Sequence, residues 1–222
     1  MKSAIVHDSR PITLVGGGKV KKSLLEAAIV HAPQMVAADG AADTVLALGW
    51  MPDAVIGDFD SLSAAGQAAI PFTRLHPIDE QDSTDFEKCL ARVRAPLVLA
   101  VGFLGARLDH QLAALTAITA CSRPVVLLGA EDIAFALPPE ISLALPPDSR
   151  FSLYPLAPVT GRSKGLEWPI DGLTFTPAGR IGTSNRVTGP VHLQMDAPGM
   201  VAITPPEALD AVIAALTAAP AR

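Results

Sequence analysis

Two aspartates stand directly after an apolar run in the stretch AVIGDFDSLS (54–63). If residues 58–60 are extended, the side chains of Asp58 and Asp60 point to one side of the chain and that of Phe59 points to the other. The two carboxylates could then share a cation while Phe59 anchors the loop in the core. Hard oxygen ligands without histidine or cysteine nearby favour Mg²⁺ over Zn²⁺. The alternative is a polar turn in which an aspartate caps the next helix.

Acidic residues also follow two other apolar runs. Asp39 comes directly after MVAA (35–38), and Asp109 comes after LVLAVG (97–102) and a glycine-bearing loop. Such runs predict parallel strands, and ligands of open α/β sheets bind at the carboxyl ends of the strands. Each acid alone could be a helix cap, but several like charges at one edge of a sheet are costly unless a cation lies among them. The pattern therefore indicates a metal site at this edge.

A second acidic cluster lies in DEQDSTDFEKCLARV (79–93). Thr84 and Glu87 have the spacing of a capping box, which predicts a helix that begins after Thr84. Capping does not account for Asp82 and Asp85 beside Gln81, which are either ligands or acids that stabilise the helix N-terminus. Lys88, one turn into the helix, could reach a phosphate or pair with a neighbouring acid.

Two basic segments contain residue types found in phosphate sites. VGGGKVKK (15–22) is glycine-rich, but a P-loop requires serine or threonine after Gly18-Lys19, where this sequence has valine. A tight strand-to-helix turn is therefore the favoured interpretation, and phosphate contact stays open. Arg107, in GARLDH, could bind a polyphosphate through two hydrogen bonds or be an ordinary surface arginine. The sequence has no motif for a covalent nucleophile.

The elements that must position these residues alternate between strand and helix in the first part of the chain. Short, nearly uninterrupted apolar runs are typical of parallel strands covered on both faces. Helical patterns such as KKSLLEAAIVHA and DHQLAALTAITAC lie between them. The alternation predicts an α/β domain with a mostly parallel open sheet over residues 1–130. The predicted strands are 12–16, 35–38, 54–57, 97–102 and 125–129.

The pattern changes after about residue 130, where prolines cluster and helical periodicity disappears. The segments FSLYPL, LTFTP, RIGTS, PVHLQMD and MVAITP are separated by glycine and proline turns. They predict an all-β domain, a sandwich or a barrel, over residues 131–222. The closing PEALDAVIAALTAA is predicted to form a terminal helix.

Composition excludes several classes of protein. Half of the 222 residues are hydrophobic and 18% are charged, so the chain is expected to fold rather than to be disordered. A net charge of −5 gives no reason to expect a nucleic-acid partner. We expect neither a signal peptide nor a membrane span from the apolar runs. Cys89 and Cys121 are expected to be buried free thiols, which predicts a cytoplasmic location.

Taken together in order, ADGAAD, GDFDSL, DEQDSTDFEKCL, GARLDH and GTSN resemble the thiamine pyrophosphokinase family of bacterial type. The resemblance implies a homodimer in which an α/β ATP-binding domain is followed by a β domain, with thiamine bound where domains of two subunits meet. It implies transfer of the pyrophosphoryl group of ATP to the hydroxyl group of thiamine, giving thiamine diphosphate and AMP. Ala106 departs from the family, which often has a second glycine there.

The resemblance also assigns roles to residues. Metal ligands that act in catalysis with Mg²⁺ would be Asp58, Asp60 and Asp85. Asp109 would be a further catalytic residue, and either it or Asp85 could accept the proton of the hydroxyl group. The remaining site residues would be Asp39, Gln81, Thr84, Lys88 and Arg107 for ATP, and Ser184 and Asn185 for thiamine. Trp168 could stack on thiamine or be a core or interface residue.

Two other functions are compatible with parts of this pattern. A diphosphokinase for another hydroxymethyl heterocycle, such as 6-hydroxymethylpterin, could use a similar α/β domain, but GTSN and its β domain favour thiamine. A nucleotide sensor without activity would be expected to have lost the carboxylates, and they are all present in the sequence.

Overall fold

The structure, a computed structural model, describes residues 3–105 and 107–219. Contacts divide the chain into two compact units. The first contains the described residues up to Ala117 together with Leu127–Ala130, and the second contains Ile118–Val126 and the described residues from Glu131 onward.

The described residues form both strands and helices. The strands are β1 (Val6–His7), β2 (Ile12–Val15), β3 (Gln34–Ala38), β4 (Ala54–Gly57), β5 (Leu75–Pro77), β6 (Val93–Arg94), β7 (Val98–Val101), β8 (Val125–Leu128), β9 (Ile133–Ala136), β10 (Glu140–Leu143), β11 (Arg150–Pro155), β12 (Gly161–Leu166), β13 (Gly182–Met195) and β14 (Met200–Thr204). The α-helices are α1 (Lys22–His31), α2 (Ala41–Ala47), α3 (Ala64–Ala69), α4 (Asp85–Arg92), α5 (Leu108–Ala120) and α6 (Leu209–Ala218). Short 3₁₀-helices lie at Phe72–Arg74 and Pro206–Ala208.

Strand pairing in the first unit is parallel. β2 pairs with β7, β3 and β5 pair with the two sides of β4, and β1 pairs with β6. All residues of β2, β4 and β7 are buried, as expected for strands covered on both faces. The five strands predicted in this part of the chain are confirmed as β2, β3, β4, β7 and β8.

Helix α4 begins as its sequence predicts. The Thr84 hydroxyl group accepts the Glu87 amide at 3.3 Å, and the Glu87 carboxylate accepts the Thr84 amide at 2.9 Å. The capping box is therefore confirmed. The helix buries Phe86, Cys89 and Leu90, and the Cys89 thiol lies 3.7 Å from the carbonyl oxygen of Ile56, the third residue of β4. Cys89 is a buried free thiol as predicted, whereas Cys121 is only half-buried.

The second unit contains antiparallel strands in the order β10-β13-β11-β14-β9, with β12 also paired to β13. RIGTS and PVHLQMD were predicted as separate segments, but they belong to one strand of 14 residues, β13. Pro190 is accommodated because β12 shifts register opposite it, at Gly165. The φ of Gly165 is +76°, and a Cβ there would lie 2.2 Å from the carbonyl oxygen of Pro190.

Two other elements of this unit bear on the sequence predictions. LTFTP does not form a strand; within it, Phe175 makes an isolated antiparallel bridge with Val159. The terminal helix is confirmed as α6. The chain thus combines parallel and antiparallel β-structure with helices. None of the described helices has the length and apolar character needed to cross a membrane.

Candidate active site

The loop after β4 carries Asp58 and Asp60 but is not extended. Phe59 has a φ of +64°, in the left-handed region, so the expected alternation of side chains along residues 58–60 is wrong. The expected anchor is confirmed, because Phe59 is half-buried and packs against a core cluster that includes Val15 and Leu25. A sharp turn around an anchored ring therefore presents the two carboxylates.

Asp39 lies at the end of the neighbouring strand, β3. It is only 2% exposed, has a φ of +48°, and its amide donates to the carbonyl oxygen of Ile56 at 3.0 Å. A Cβ on Gly57 would come within 2.7 Å of the Cβ of Asp39. Glycine at position 57 is therefore what lets the β4 backbone approach Asp39 so closely.

The Asp39 carboxylate has few hydrogen-bond partners. One oxygen, Oδ2, accepts the Ser61 amide at 3.4 Å, while Oδ1 is buried and has no hydrogen-bond partner among the described residues. Burial, and then the charge of Asp85, raises the pKa of Asp39 to about 6. A cation beside this group would restore its ionised form and supply the missing partner.

Asp39, Asp58 and Asp60 come together at this edge of the first unit. Each offers a carboxylate oxygen, and the three oxygens lie within 4.8 Å of one another. Oxygen donors of this kind suit a hard divalent cation such as Mg²⁺. The buried unpartnered oxygen of Asp39 is an independent sign that the cluster is fitted to a ligand.

Lys88 is the cation that the chain itself places beside the cluster. It is 2% exposed, and its Nζ donates to Asp58 Oδ2 at 2.7 Å and to Asp85 Oδ1 at 3.1 Å. Gln81 Nε2 donates to Asp58 Oδ2 at 3.1 Å. The hydrogen bond from Lys88 holds the pKa of Asp58 at about 2. Burial alone would lower the pKa of Lys88, but its two carboxylate partners raise it.

This pairing distinguishes Asp85 from the other predicted metal ligands. Asp85 is half-buried, engages Lys88, and is not among the three clustered carboxylates, whereas Asp39 is. Lys88 contacts acids rather than standing free to meet a phosphate. Of the two possibilities for Lys88 that its sequence leaves open, the structure shows the ion pair.

A cavity of about 560 Å³ opens beside these groups. Four of the predicted site residues line it, while Asp58, Asp60, Gln81, Lys88 and Asp109 are outside its described wall. The four are Asp39, Thr84, Asp85 and Arg107. Its wall also includes residues that sequence reasoning did not assign to the site: Gly17, Gly18, Gly102, Phe103 and His110. The glycine-rich turn after β2, which fails as a P-loop, was the available signal for the first two.

Arg107 and Asp109 form an ion pair at the start of α5. Arg107 donates to Asp109 at 2.6 Å and 3.2 Å, and the side chains are 71% and 63% exposed. The hydrogen bond raises the pKa of Arg107 and lowers the pKa of Asp109. The pair is therefore charged but open to solvent.

The predicted thiamine residues lie in β13, in the second unit. Asn185 is buried, its Nδ2 donates to the Trp168 carbonyl oxygen at 2.8 Å, and its Oδ1 accepts the Trp168 amide at 3.2 Å. Ser184 has a φ of +59°, and its amide donates to the Ser152 hydroxyl group at 2.9 Å. Trp168 is 58% exposed, so it is not a core residue. Asn185 thus fixes the backbone that presents an exposed indole.

Sequence comparisons agree with the motifs. Residues 25–126 match the family model of the thiamin pyrophosphokinase catalytic domain. The chain is 27% identical over 158 residues to thiamine pyrophosphokinase 1 of Oryza sativa subsp. japonica, covering 62% of this chain and 60% of the relative. It is similarly 27% identical to thiamine pyrophosphokinase 2 of Arabidopsis thaliana, with 59% of that relative covered. The matched region therefore spans about 60% of the length of these curated relatives.

Solved structures share the fold. The thiamin pyrophosphokinase of Candida albicans aligns with a TM-score of 0.76 at 15% identity, covering 91% of this chain and 93% of that one. The thiamine pyrophosphokinase of Bacillus subtilis aligns with a TM-score of 0.73 at 19% identity, covering 88% and 99%.

Proposed function

We propose that the chain belongs to the thiamin pyrophosphokinase family, whose catalytic-domain model matches residues 25–126, and that it transfers the pyrophosphoryl group of ATP to thiamine. The products are thiamine diphosphate and AMP. The observation that carries this proposal is the convergence of Asp39, Asp58 and Asp60, with one buried and unpartnered oxygen, in the segment that matches the family. A pterin substrate is not favoured, since the relatives are named for thiamine.

The proposal divides the work between two domains. Residues 1–130 form the α/β domain with a mostly parallel sheet, which binds ATP in the cavity lined by Asp39, Thr84 and Arg107. Residues 131–222 form a β domain of sandwich or barrel type that contributes Ser184 and Asn185 to thiamine binding. By family resemblance, the active form is a homodimer.

Mg²⁺ is the proposed metal, held by Asp58 and Asp60. Asp39 is the third carboxylate that the geometry favours, and Asp85 stays a proposed ligand although it engages Lys88. When bound, Mg²⁺ would neutralise charge on the transferred phosphoryl groups and on the leaving AMP. Lys88 and Gln81 hold Asp58 in place for that role.

The reaction is a substitution at the β-phosphorus of ATP. The thiamine hydroxyl oxygen forms a bond to that phosphorus, and the bond to the oxygen bridging the α- and β-phosphorus breaks, releasing AMP. The hydroxyl proton passes to a carboxylate, for which Asp109 and Asp85 are the candidates. The protein contributes mainly by positioning and by electrostatic stabilisation, since no covalent intermediate is required.

A cytoplasmic protein is proposed, and the buried free thiol of Cys89 supports it because reducing compartments preserve thiols.

The decisive experiment is an assay of the full chain with ATP, Mg²⁺ and thiamine, in which AMP and thiamine diphosphate are separated by chromatography. Equal amounts of the two products are expected, and both should disappear when EDTA is added. A parallel reaction with 6-hydroxymethylpterin should give no AMP above the background without acceptor. The absence of AMP with thiamine would overturn the proposed function.

A further inference from the structure

Asp43, in α2, holds the far end of the carboxylate loop. Its Oδ2 accepts the Ser63 amide at 2.9 Å, and its Oδ1 accepts the Ser63 hydroxyl group at 2.7 Å. The Ser63 hydroxyl oxygen in turn accepts the Gly66 amide at 3.0 Å and caps α3. Both oxygens of Asp43 are thus committed to one residue, Ser63, which ends the loop.

The other end of the loop is fixed by the sheet. Gly57, the last residue of β4, lies opposite Pro77 in the parallel pair with β5, and its carbonyl oxygen accepts the Ile78 amide at 2.7 Å. The loop that carries Asp58 and Asp60 is therefore fixed at one end by β4 and at the other end by the Asp43–Ser63 hydrogen bonds.

Two glycines show how tightly this arrangement is built. A Cβ on Gly66 would lie 2.0 Å from Asp43 Oδ1, and a Cβ on Gly40 would lie 2.7 Å from the Ser61 carbonyl oxygen. Within the loop, Phe59 has the left-handed φ of +64° that L-residues seldom adopt. Such a conformation persists only where the surrounding structure enforces it.

We infer that Asp43 is a positioning residue for the metal site: through Ser63 it fixes the loop that brings Asp58 and Asp60 to Asp39, and so determines the affinity of the three carboxylates for a divalent cation. This inference rests on the proposed function only in taking the cluster to be a metal site. Asp43 does not itself belong to the cluster. Groups that orient metal ligands in this indirect way commonly change metal affinity by about 10- to 100-fold when removed.

The test measures Mn²⁺ affinity of the full chain by the loss of the free-ion electron paramagnetic resonance signal, with and without a non-hydrolysable ATP analogue. Asp43→Ala should weaken Mn²⁺ binding about tenfold or more. Asp43→Asn keeps an acceptor oxygen and should lose less. Gly66→Ala, which crowds the Asp43 carboxylate, should weaken binding in the same direction.

Asp53→Asn is the matched control. Asp53 immediately precedes β4 and accepts the Met35 amide at 2.8 Å, so it is also a carboxylate that ties backbone segments together, but at the amino end of the strand. Its replacement should leave Mn²⁺ affinity within about twofold of the wild type, because it does not support the loop.

Outcomes separate this inference from the proposed function. If folded Asp43→Ala, or Asp43→Asn where the alanine variant does not fold, binds Mn²⁺ as the wild type does, the inference is overturned even if turnover is normal. A wild type that binds no Mn²⁺ in either condition also overturns it. If Mn²⁺ binding depends on Asp43 but no thiamine diphosphate forms, the inference stands and the proposed function fails.

Discussion

Two ion pairs in the first unit have nearly the same length and opposite surroundings. Lys88 meets Asp58 at 2.7 Å with 3% of the lysine side chain exposed, while Arg107 meets Asp109 at 2.6 Å with 71% of the arginine side chain exposed. Burial keeps solvent and salt from screening the first pair, whereas the second is worth little to stability. The first pair therefore fixes Asp58, a proposed metal ligand, before any ligand binds. If Arg107 binds a phosphate of ATP as proposed, the second pair can exchange its carboxylate for that phosphate at small cost.

The two pairs should have different roles. The Lys88 pair should matter to folding and to the geometry of Asp58, whereas Arg107 in the exposed pair should matter to ATP affinity. Variants that alter the Lys88 pair without altering the Arg107 pair, or the reverse, test this difference.

Asp60→Ala should have the largest effect, because it removes a proposed metal ligand while leaving both ion pairs intact. AMP formation should fall by about 10²- to 10³-fold. The free energy of unfolding should change by less than about 0.5 kcal/mol because Asp60 is exposed. Steady-state kinetics and urea unfolding measure the two quantities. Glu26→Ala, a change at an exposed acid of α1, serves as the control and should keep its activity. Normal turnover in Asp60→Ala would remove Asp60 from the metal site.

Lys88→Met tests the buried pair directly. It leaves Asp58 and Asp85 without their cation, which should lower the free energy of unfolding by about 3 kcal/mol at pH 7. The pKa of Asp58, about 2 in the native protein, lies below its ordinary value. The stabilisation is therefore complete above about pH 4 and is lost as the pH falls through about 2, a dependence that the variant should lack.

Lys22→Met provides the comparison for this variant. Lys22 is exposed and lies 5.5 Å from the Trp50 ring, so its replacement should cost less than about 1 kcal/mol. Urea unfolding from pH 2 to 7 measures both variants. If Lys88→Met and Lys22→Met lost equal stability, burial would not strengthen the Lys88 pair.

Asp39→Asn tests whether the cluster carries an uncompensated charge. The pKa of Asp39, about 6, lies above its ordinary value, so the fold prefers the protonated acid. This stabilisation is complete below about pH 4 and is lost as the pH rises through 6. In buffer with EDTA, the variant should be more stable than the wild type by about 3 kcal/mol at pH 8, and that difference should vanish near pH 4. A difference that does not depend on pH would contradict the raised pKa.

Arg107→Ala should have the smallest effect. Loss of one exposed phosphate contact should raise the KM for ATP by about five- to tenfold and leave kcat nearly unchanged. The melting temperature should stay within about 1 °C, because the partner left behind, Asp109, is 63% exposed. Kinetics with varied ATP and a thermal melt measure these values. A large loss of stability would instead mean that the Arg107 pair, like the Lys88 pair, stabilises the fold.

Local features of the site could be predicted from the sequence. The capping box of Thr84 and Glu87 and the strand ends before Asp39 and Asp58 depend on neighbours within a few residues. The spacing of residues within these short segments is therefore enough to predict them.

Other features depend on contacts between distant parts of the chain. Lys88 meets Asp58 across 30 positions, and Asp43 meets Ser63 across 20, so nothing in either segment alone indicates its partner. The left-handed φ of Phe59 is imposed by packing on a residue that does not favour it. The sequence pattern predicts a break at Pro190, yet β13 continues through it. Gly165, on the neighbouring strand β12, makes room for this proline.

The buried thiol of Cys89 gives the chain a built-in chemical reporter. Its burial raises the pKa of the thiol far above the ordinary range, so a negligible fraction is thiolate at neutral pH. Alkylating reagents can reach it only when α4 separates from the carbonyl group of Ile56 on β4. In a Cys121→Ser background, the rate of its modification would therefore time the opening of the helix that supports Lys88, without any engineered label.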